Sequence, residues 1–170
     1  MSTPVVAAFD FDETLTARDT VVPFLRRFAS KRQLAVGVLP HTLRLLPIAV
    51  RRDRDRLRAL ATHIVFRGRA IGDVEAEARA WGATIAGTLL RSDTVARLRW
   101  HQAQGHRVVI VTASYEQYVR VVADTLGDVE VVGTRLEVVD DTCTGRLDGP
   151  ARHGQDVPLH EPVHAGDADS

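Results

Sequence analysis

Lysine is almost missing from this 170-residue chain, and Lys31 is the only one. A lone cysteine, Cys143, excludes an intramolecular disulfide and suits a reducing, cytoplasmic setting; a packed thiol is the expected role for it. No apolar run reaches the ~20 residues of a spanning helix. The most apolar stretch, Leu34 to Val50, is interrupted by Pro40, His41, Arg44 and Pro47, so no membrane span is expected. No basic segment precedes the first apolar residues, and a signal peptide is therefore not expected. Net charge is also absent, with 22 basic residues against 22 acidic, which excludes a uniformly basic or acidic surface.

The charges are unevenly spread. From Ala17 to Arg69 there are 13 Arg and Lys residues against only Asp19, Asp53 and Asp55. A basic segment facing an acidic remainder would attract phosphorylated anions, although a solvated helical face explains most of these arginines. Seven histidines are scattered over different predicted elements or lie in the Pro- and Gly-rich tail, without metal-ligand spacing.

The chain is organised around its first strand. Val5 to Phe9 is a short apolar run of the kind buried on both faces of a parallel sheet. Asp10 and Asp12 follow at once, then Thr14 and Thr16. Carboxylates at the tip of such a strand lie at the carboxyl edge of the sheet, where open α/β folds place ligands. There a carboxylate can attack phosphorus, a divalent cation can offset the gathered charge, and a second carboxylate can move the proton.

A helix is expected from Asp19 or Thr20 through Phe28, a broken helical stretch over Lys31–Ala49, and further helices over Asp53–Phe66 and Gly72–Leu90. No strand signal occurs between Ala17 and Leu90. After a helix from Ser92 or Asp93 to Gln104, a second apolar strand runs from Arg107 to Val111 and ends at Thr112-Ala113-Ser114. A helix over Tyr115–Leu126, a strand over Val129–Val132 and a hairpin over Leu136–Val139 and Thr142–Leu147 complete the pattern. Alternating strand and helix gives an α/β fold with a Rossmann-like parallel sheet. The expected division is a core of residues 1–16 and 91–150, an inserted all-helical cap over 17–90, and an irregular tail over 151–170.

Asp10-Phe11-Asp12-Glu13-Thr14, with Asp19 and Pro23-Phe24-Leu25, resembles motif I of the haloacid dehalogenase-like superfamily, in its phosphoserine-phosphatase-like branch. The run Val108 to Thr112 resembles motif II. The resemblance implies a Mg²⁺-dependent phosphatase acting on a small phosphomonoester, with Asp10 as nucleophile and metal ligand. Asp12 would be the acid/base and give its backbone carbonyl to the metal, and Thr112 would bind the phosphoryl group. Ser114 reads as a capping hydroxyl. Asp19 stands where the branch carries a substrate-reading Glu, with helix capping as the competing role. Arg67, in Phe66-Arg67-Gly68-Arg69, would reach the substrate from the cap, with a plain surface arginine as the alternative.

The resemblance covers residues 5 to about 149. Beyond Gly149, Val157 stands near the place of the motif III lysine, and Arg152 is an unequal substitute. Gly166-Asp167 resembles the Gly-Asp of motif IV, making Asp167 a third metal ligand, but no room remains before it for the usual helix and strand. The expectation is a chain truncated at its C-terminus and impaired by the loss. The alternative is a non-catalytic scaffold binding nucleic acid or anionic lipid through Arg51-Arg52-Asp53-Arg54-Asp55-Arg56. For the phosphatase no nucleic-acid partner is expected, and an open sheet edge would suit a homodimer.

Overall fold

A computed structural model describes residues 5–29 and 54–148. The broken helical stretch over 31–49, Arg51, Arg52, Asp53 and the tail with Arg152 and Asp167 lie outside the described residues.

The apolar run Val6–Phe9 is strand β1, and it pairs in parallel with β2, Arg107–Tyr115, in the register Ala7↔Val108 and Phe9↔Ile110. β2 pairs in parallel with β3, Glu130–Thr134, so the described sheet has the order β1-β2-β3. The expected α/β parallel sheet is thus observed, with β2 at its centre. Val108, Val109 and Ile110 are buried there, as both-face coverage of a parallel strand requires.

Between β1 and β2 lie a single irregular turn over Phe11–Leu15 and, among the described residues, the helices α1 (Val21–Leu25), α2 (Arg54–Phe66), α3 (Ile71–Thr88) and α4 (Ser92–Ala103). Helix α5, Glu116–Leu126, joins β2 to β3. The chain leaves β1 and returns toward α4 along two adjacent segments. Ala17 N–H donates to Leu89 C=O and Arg91 N–H to Leu15 C=O, each at 2.9 Å, around an antiparallel bridge between Thr16 and Leu90. These bonds fix the loop after β1.

Helix α3 buries Val74, Ala78, Trp81 and Ile85 along one stripe and packs on α5. Gly82 permits the approach, since a Cβ there would stand 2.6 Å from the Val121 Cβ. Strands β4 (Leu136–Val139) and β5 (Thr142–Leu147) form the expected hairpin as a separate two-stranded sheet. It seats against α2 rather than on the parallel sheet. Gly68 N–H donates to Cys143 C=O at 2.9 Å and Cys143 N–H to Arg69 C=O at 2.8 Å. Cys143 itself is buried, and its burial pushes the thiol pKa up, in keeping with a packed role.

Beneath α1 lies an aromatic cluster of Phe11, Phe24, Phe28, Phe66, Tyr115 and Tyr118. Both tyrosines of the chain are fully buried in it. Tyr115 Oη meets Thr62 Oγ1 at 2.8 Å, and Tyr118 Oη meets Thr20 Oγ1 at 2.9 Å. Burial pushes the Tyr115 pKa up to about 12 and that of Tyr118 up as well. A pKa raised by folding leaves stability intact below the unfolded value near 10 and removes it as pH rises through the folded one. Stability should therefore hold to about pH 10 and fall by roughly 2–3 kcal/mol by pH 12 from Tyr115 alone. Absorbance at 295 nm should show no tyrosinate until far-ultraviolet circular dichroism reports unfolding. Ionisation near pH 10 in the folded chain would contradict this packing.

Candidate active site

Asp10 ends β1 and stays exposed. Its Oδ1 accepts from Phe11 N–H at 2.8 Å, and its Oδ2 has a long contact with Thr14 Oγ1 at 3.4 Å. The next residues turn sharply. Asp12 is extended, Glu13 takes φ = 60°, and Thr16 N–H closes the loop on Phe11 C=O at 3.0 Å. A non-glycine residue in the left-handed region is uncommon and marks a locally constrained turn. Phe11 and Leu15, fully buried, anchor the loop from below.

Asp12 points inward and is held by three donors. Its Oδ1 accepts from Thr20 N–H at 2.8 Å and Thr20 Oγ1 at 2.6 Å, and its Oδ2 accepts from Ser114 Oγ. Thr20 in turn meets Tyr118 Oη, so Asp12 sits at the end of a buried polar chain. Burial is the largest influence on its pKa and raises it. The Ser114 and Thr20 bonds act against that rise, while the nearby Asp19 charge adds to it.

Thr112 is buried on β2, next to β1 in the sheet. Its Oγ1 accepts from Ser114 N–H at 3.0 Å, which leaves the hydroxyl proton without an acceptor among the described residues. Past Val111 the β2–β3 register shifts, and the strand continues to Tyr115. Helix α5 therefore starts after Tyr115 with no side-chain cap. Ser114 is consequently not the helix cap that the sequence suggested; it is the donor to Asp12.

Asp10, Asp12, Glu13, Asp19, Thr112 and Ala113 line one cleft of about 620 Å³ with Arg58 and several aliphatic residues. Asp19 reaches this cleft and also caps α1, its Oδ2 accepting from Val22 N–H at 3.1 Å. Arg67 does not line it. It follows the end of α2, faces the Gly145 backbone of the hairpin and lies 3.4 Å from His63 Nε2. Arg58 lies nine residues earlier, about two and a half helical turns, so the opposite face of α2 carries it to the cleft. Arg58 and Ser114 are the lining and supporting residues that helix phase and strand length reveal. Of the scattered histidines, His101 and His106 meet, with their Nδ1 atoms 2.9 Å apart, and His101 packs edge-on to Phe9.

No group of three or more His, Cys, Asp or Glu residues suited to a metal occurs among the described residues. The donors that do converge are hard oxygens, and the Asp10 carboxylate is exposed to the cleft. That set fits Mg²⁺, which keeps several waters and needs only one or two protein carboxylates. Asp167, the expected third ligand, lies outside the described residues.

The family model for haloacid dehalogenase-like hydrolases matches residues 7–166. The chain belongs to that family. Protein CicA of Caulobacter vibrioides is 40% identical to this haloacid dehalogenase-like chain over 147 residues, 86% of its length. The chain spans only 66% of the length of CicA. Among solved structures, a probable phosphoserine phosphatase from Vibrio cholerae superposes with a TM-score of 0.61 at 15% identity, over 90% of this chain and 43% of that one. A phosphoserine phosphatase in a phospho-aspartyl intermediate analogue state gives 0.54 at 17% identity, over 88% and 64%. These structures are similar in fold.

The Asp12 clamp makes a direct prediction. Ser114→Ala removes the donor to Oδ2, leaving a half-buried carboxylate oxygen without that partner. Its pKa should rise further, and stability at neutral pH should drop by about 1–3 kcal/mol. Because the charged form is the one penalised, the loss should shrink as pH falls and Asp12 protonates. Carboxyl ¹³C titration and urea unfolding at pH 7 and pH 4 would measure both. An unshifted Asp12 would mean the Ser114 bond does not form.

Proposed function

We propose that this chain is a phosphomonoester hydrolase that works through an aspartyl-phosphate on Asp10, with residues 17–90 acting as a helical cap over the site. The observation that carries this reading is the meeting of Asp10, Asp12 and Thr112 in one cleft at the carboxyl edge of parallel strands. Membership of the hydrolase family and fold similarity to phosphoserine phosphatases support it.

In the first step a carboxylate oxygen of Asp10 attacks phosphorus, and the ester P–O bond breaks. Asp12 gives its proton to the departing alkoxide. A site that raises the Asp12 pKa through burial favours the protonated form such a step needs. In the second step Asp12 takes a proton from water as that water attacks phosphorus. The Asp10–phosphorus link then breaks and inorganic phosphate leaves. The Thr112 hydroxyl donates to a phosphoryl oxygen throughout. Mg²⁺, held by the Asp10 carboxylate and the Asp12 carbonyl with Asp167 as a third ligand, would offset the negative charge of carboxylate and phosphate. A cytoplasmic setting accords with the unpaired Cys143. Among the described residues no helix is long and apolar enough to cross a membrane.

The test is a trapped intermediate. Incubation with a ³²P-labelled phosphomonoester and Mg²⁺, followed by acid quench, should leave label on the protein that hydroxylamine removes and chelation beforehand prevents. Unlabelled protein alongside ongoing phosphate release would replace this route with direct attack by water.

A further inference from the structure

Strand β2 runs out of step with β3 at the residues that carry the site. Val111 pairs with Val132 and Tyr115 with Thr134, so Thr112, Ala113 and Ser114 together stand opposite the single residue Gly133. A bulge re-aims the side chains it carries. Three residues that do not line the cleft close on this one. Thr134, buried at the end of β3, donates from Oγ1 to Ala113 C=O at 2.7 Å. Gly133 lies so near that a Cβ there would stand 2.9 Å from the Ser114 carbonyl oxygen and 3.3 Å from Thr112 Cγ2. Glu116, only 7% exposed, accepts from Gly133 N–H at 2.9 Å through Oε1, and its Oε2 accepts from Arg120 at 3.0 and 2.6 Å. The arginine offsets the cost of burying that charge.

Resting on the phosphomonoesterase reading, we propose that Gly133, Thr134 and Glu116 are positioning residues. They hold the bulge in the shape that puts the Thr112 hydroxyl on the phosphoryl group and the Ser114 hydroxyl on Asp12. The Thr112 methyl takes up space that a side chain at Gly133 would need. With the methyl seated there the direction of Oγ1 is set, because both branch from one Cβ. Thr112 Oγ1 accepts from Ser114 N–H at 3.0 Å, so neither residue turns without the other. The Thr134 bond fixes the Ala113–Ser114 peptide, and Glu116 ties Gly133 to the first turn of α5. A hydroxyl aimed about 1 Å wide of its target costs on the order of a hundredfold in rate.

Paired substitutions in the full chain, assayed with Mg²⁺ and p-nitrophenyl phosphate well below the unfolding temperature, test this. Thr134→Val keeps the bulk and loses the donor to Ala113, and kcat should fall about ten- to a hundredfold; Thr134→Ser keeps the donor and should recover most of the loss. Glu116→Ala should slow the reaction too, and Glu116→Gln, whose carbonyl oxygen can accept from Gly133 N–H, should recover it. Hydrogen exchange at the Ser114 amide reads the bulge without turnover. In Thr134→Val and Glu116→Ala it should quicken about tenfold more than exchange at Ile110, in the regular part of β2. A general loss of stability would quicken both alike. Gly133→Ala, which removes no hydrogen-bonding group, should show the same selective quickening. Native kcat with parallel exchange in Thr134→Val and Glu116→Ala would make these residues structural only and overturn the assignment. Thr134→Ser and Glu116→Gln as slow as their counterparts would overturn it as well. Selective exchange in a chain whose turnover does not depend on Asp10 would sink the catalytic reading and leave the hold on the bulge standing. Asp10-dependent turnover with unselective exchange would do the reverse.

Discussion

Replacing Asp10 with asparagine should reduce Mg²⁺-dependent phosphate release from p-nitrophenyl phosphate by roughly a thousandfold or more. The same change should leave stability within about 0.5 kcal/mol of the native chain. The two effects separate because of where Asp10 sits. Its side chain is exposed, and its structural duty is to accept from Phe11 N–H at 2.8 Å. An asparagine carbonyl oxygen can keep that bond, so the turn after β1 should persist. What the amide cannot do is supply an anionic oxygen to phosphorus or a charged ligand to a cation. Asp12→Asn is the informative contrast. Asparagine offers one acceptor oxygen where Asp12 uses two, so one amide nitrogen would face either Ser114 Oγ or the Thr20 donors. That variant should lose both activity and stability. Phosphate release assayed beside thermal unfolding distinguishes the cases, and an Asp10→Asn protein retaining a tenth of the native rate would remove Asp10 as nucleophile.

The placement of Asp10 was legible in the sequence because a short apolar run followed by two carboxylates leaves few structural options. Val6–Phe9 is wholly apolar, lies beside β2 in register, and delivers Asp10 to the strand tip. Thr112 was legible for the same reason on β2. The support of Asp12 was not. A serine just before a helix reads as an N-cap, yet the register shift beyond Val111 carries β2 on to Tyr115 and turns Ser114 toward the first loop. Nothing local to Ala113-Ser114-Tyr115 signals that shift, since it arises from pairing with β3. Asp19 and Thr20 offered two capping hydrogen-bond acceptors side by side. Asp19 takes the helix N–H, and Thr20 is thereby free to bind Asp12 and Tyr118. The choice between Arg58 and Arg67 depends on the phase of α2 against the cleft, and only packing of α2 on the hairpin fixes it. The hairpin was expected from the sequence, but its attachment to α2 needs the Gly145 contact. There φ is +80° and a Cβ would stand 2.7 Å from the Arg67 Cβ.

Removing the ring of Phe24 should cost about 3–5 kcal/mol of stability, the largest loss expected from a single truncation here. Phe24 is fully buried and meets four rings, with centroid distances of 4.8 Å to Tyr118, 5.2 Å to Phe28, 5.8 Å to Tyr115 and 6.1 Å to Phe66. The neighbours are planar and mutually packed, so they cannot close easily on the space left by alanine. Helix α1 has only five residues, far fewer than a helix needs to persist by its own backbone bonds, and Phe24 with Leu25 is what holds it down. Its first bond runs from Phe24 N–H to Thr20 C=O at 3.2 Å. Loosening α1 therefore reaches Thr20, and through Thr20 the carboxylate of Asp12. In Phe24→Ala, activity should fall even at temperatures where the chain remains folded, and Tyr118 should ionise at a lower pH than in the native protein. Val139→Ala, at a 55% exposed hairpin position, serves as the control and should change stability by no more than about 0.5 kcal/mol. Urea unfolding of both variants with an unchanged slope, and a midpoint displaced only for Phe24→Ala, is the expected result. Equal midpoints would mean that α1 is not anchored through this ring, and the coupling from helix to Asp12 would fall with it.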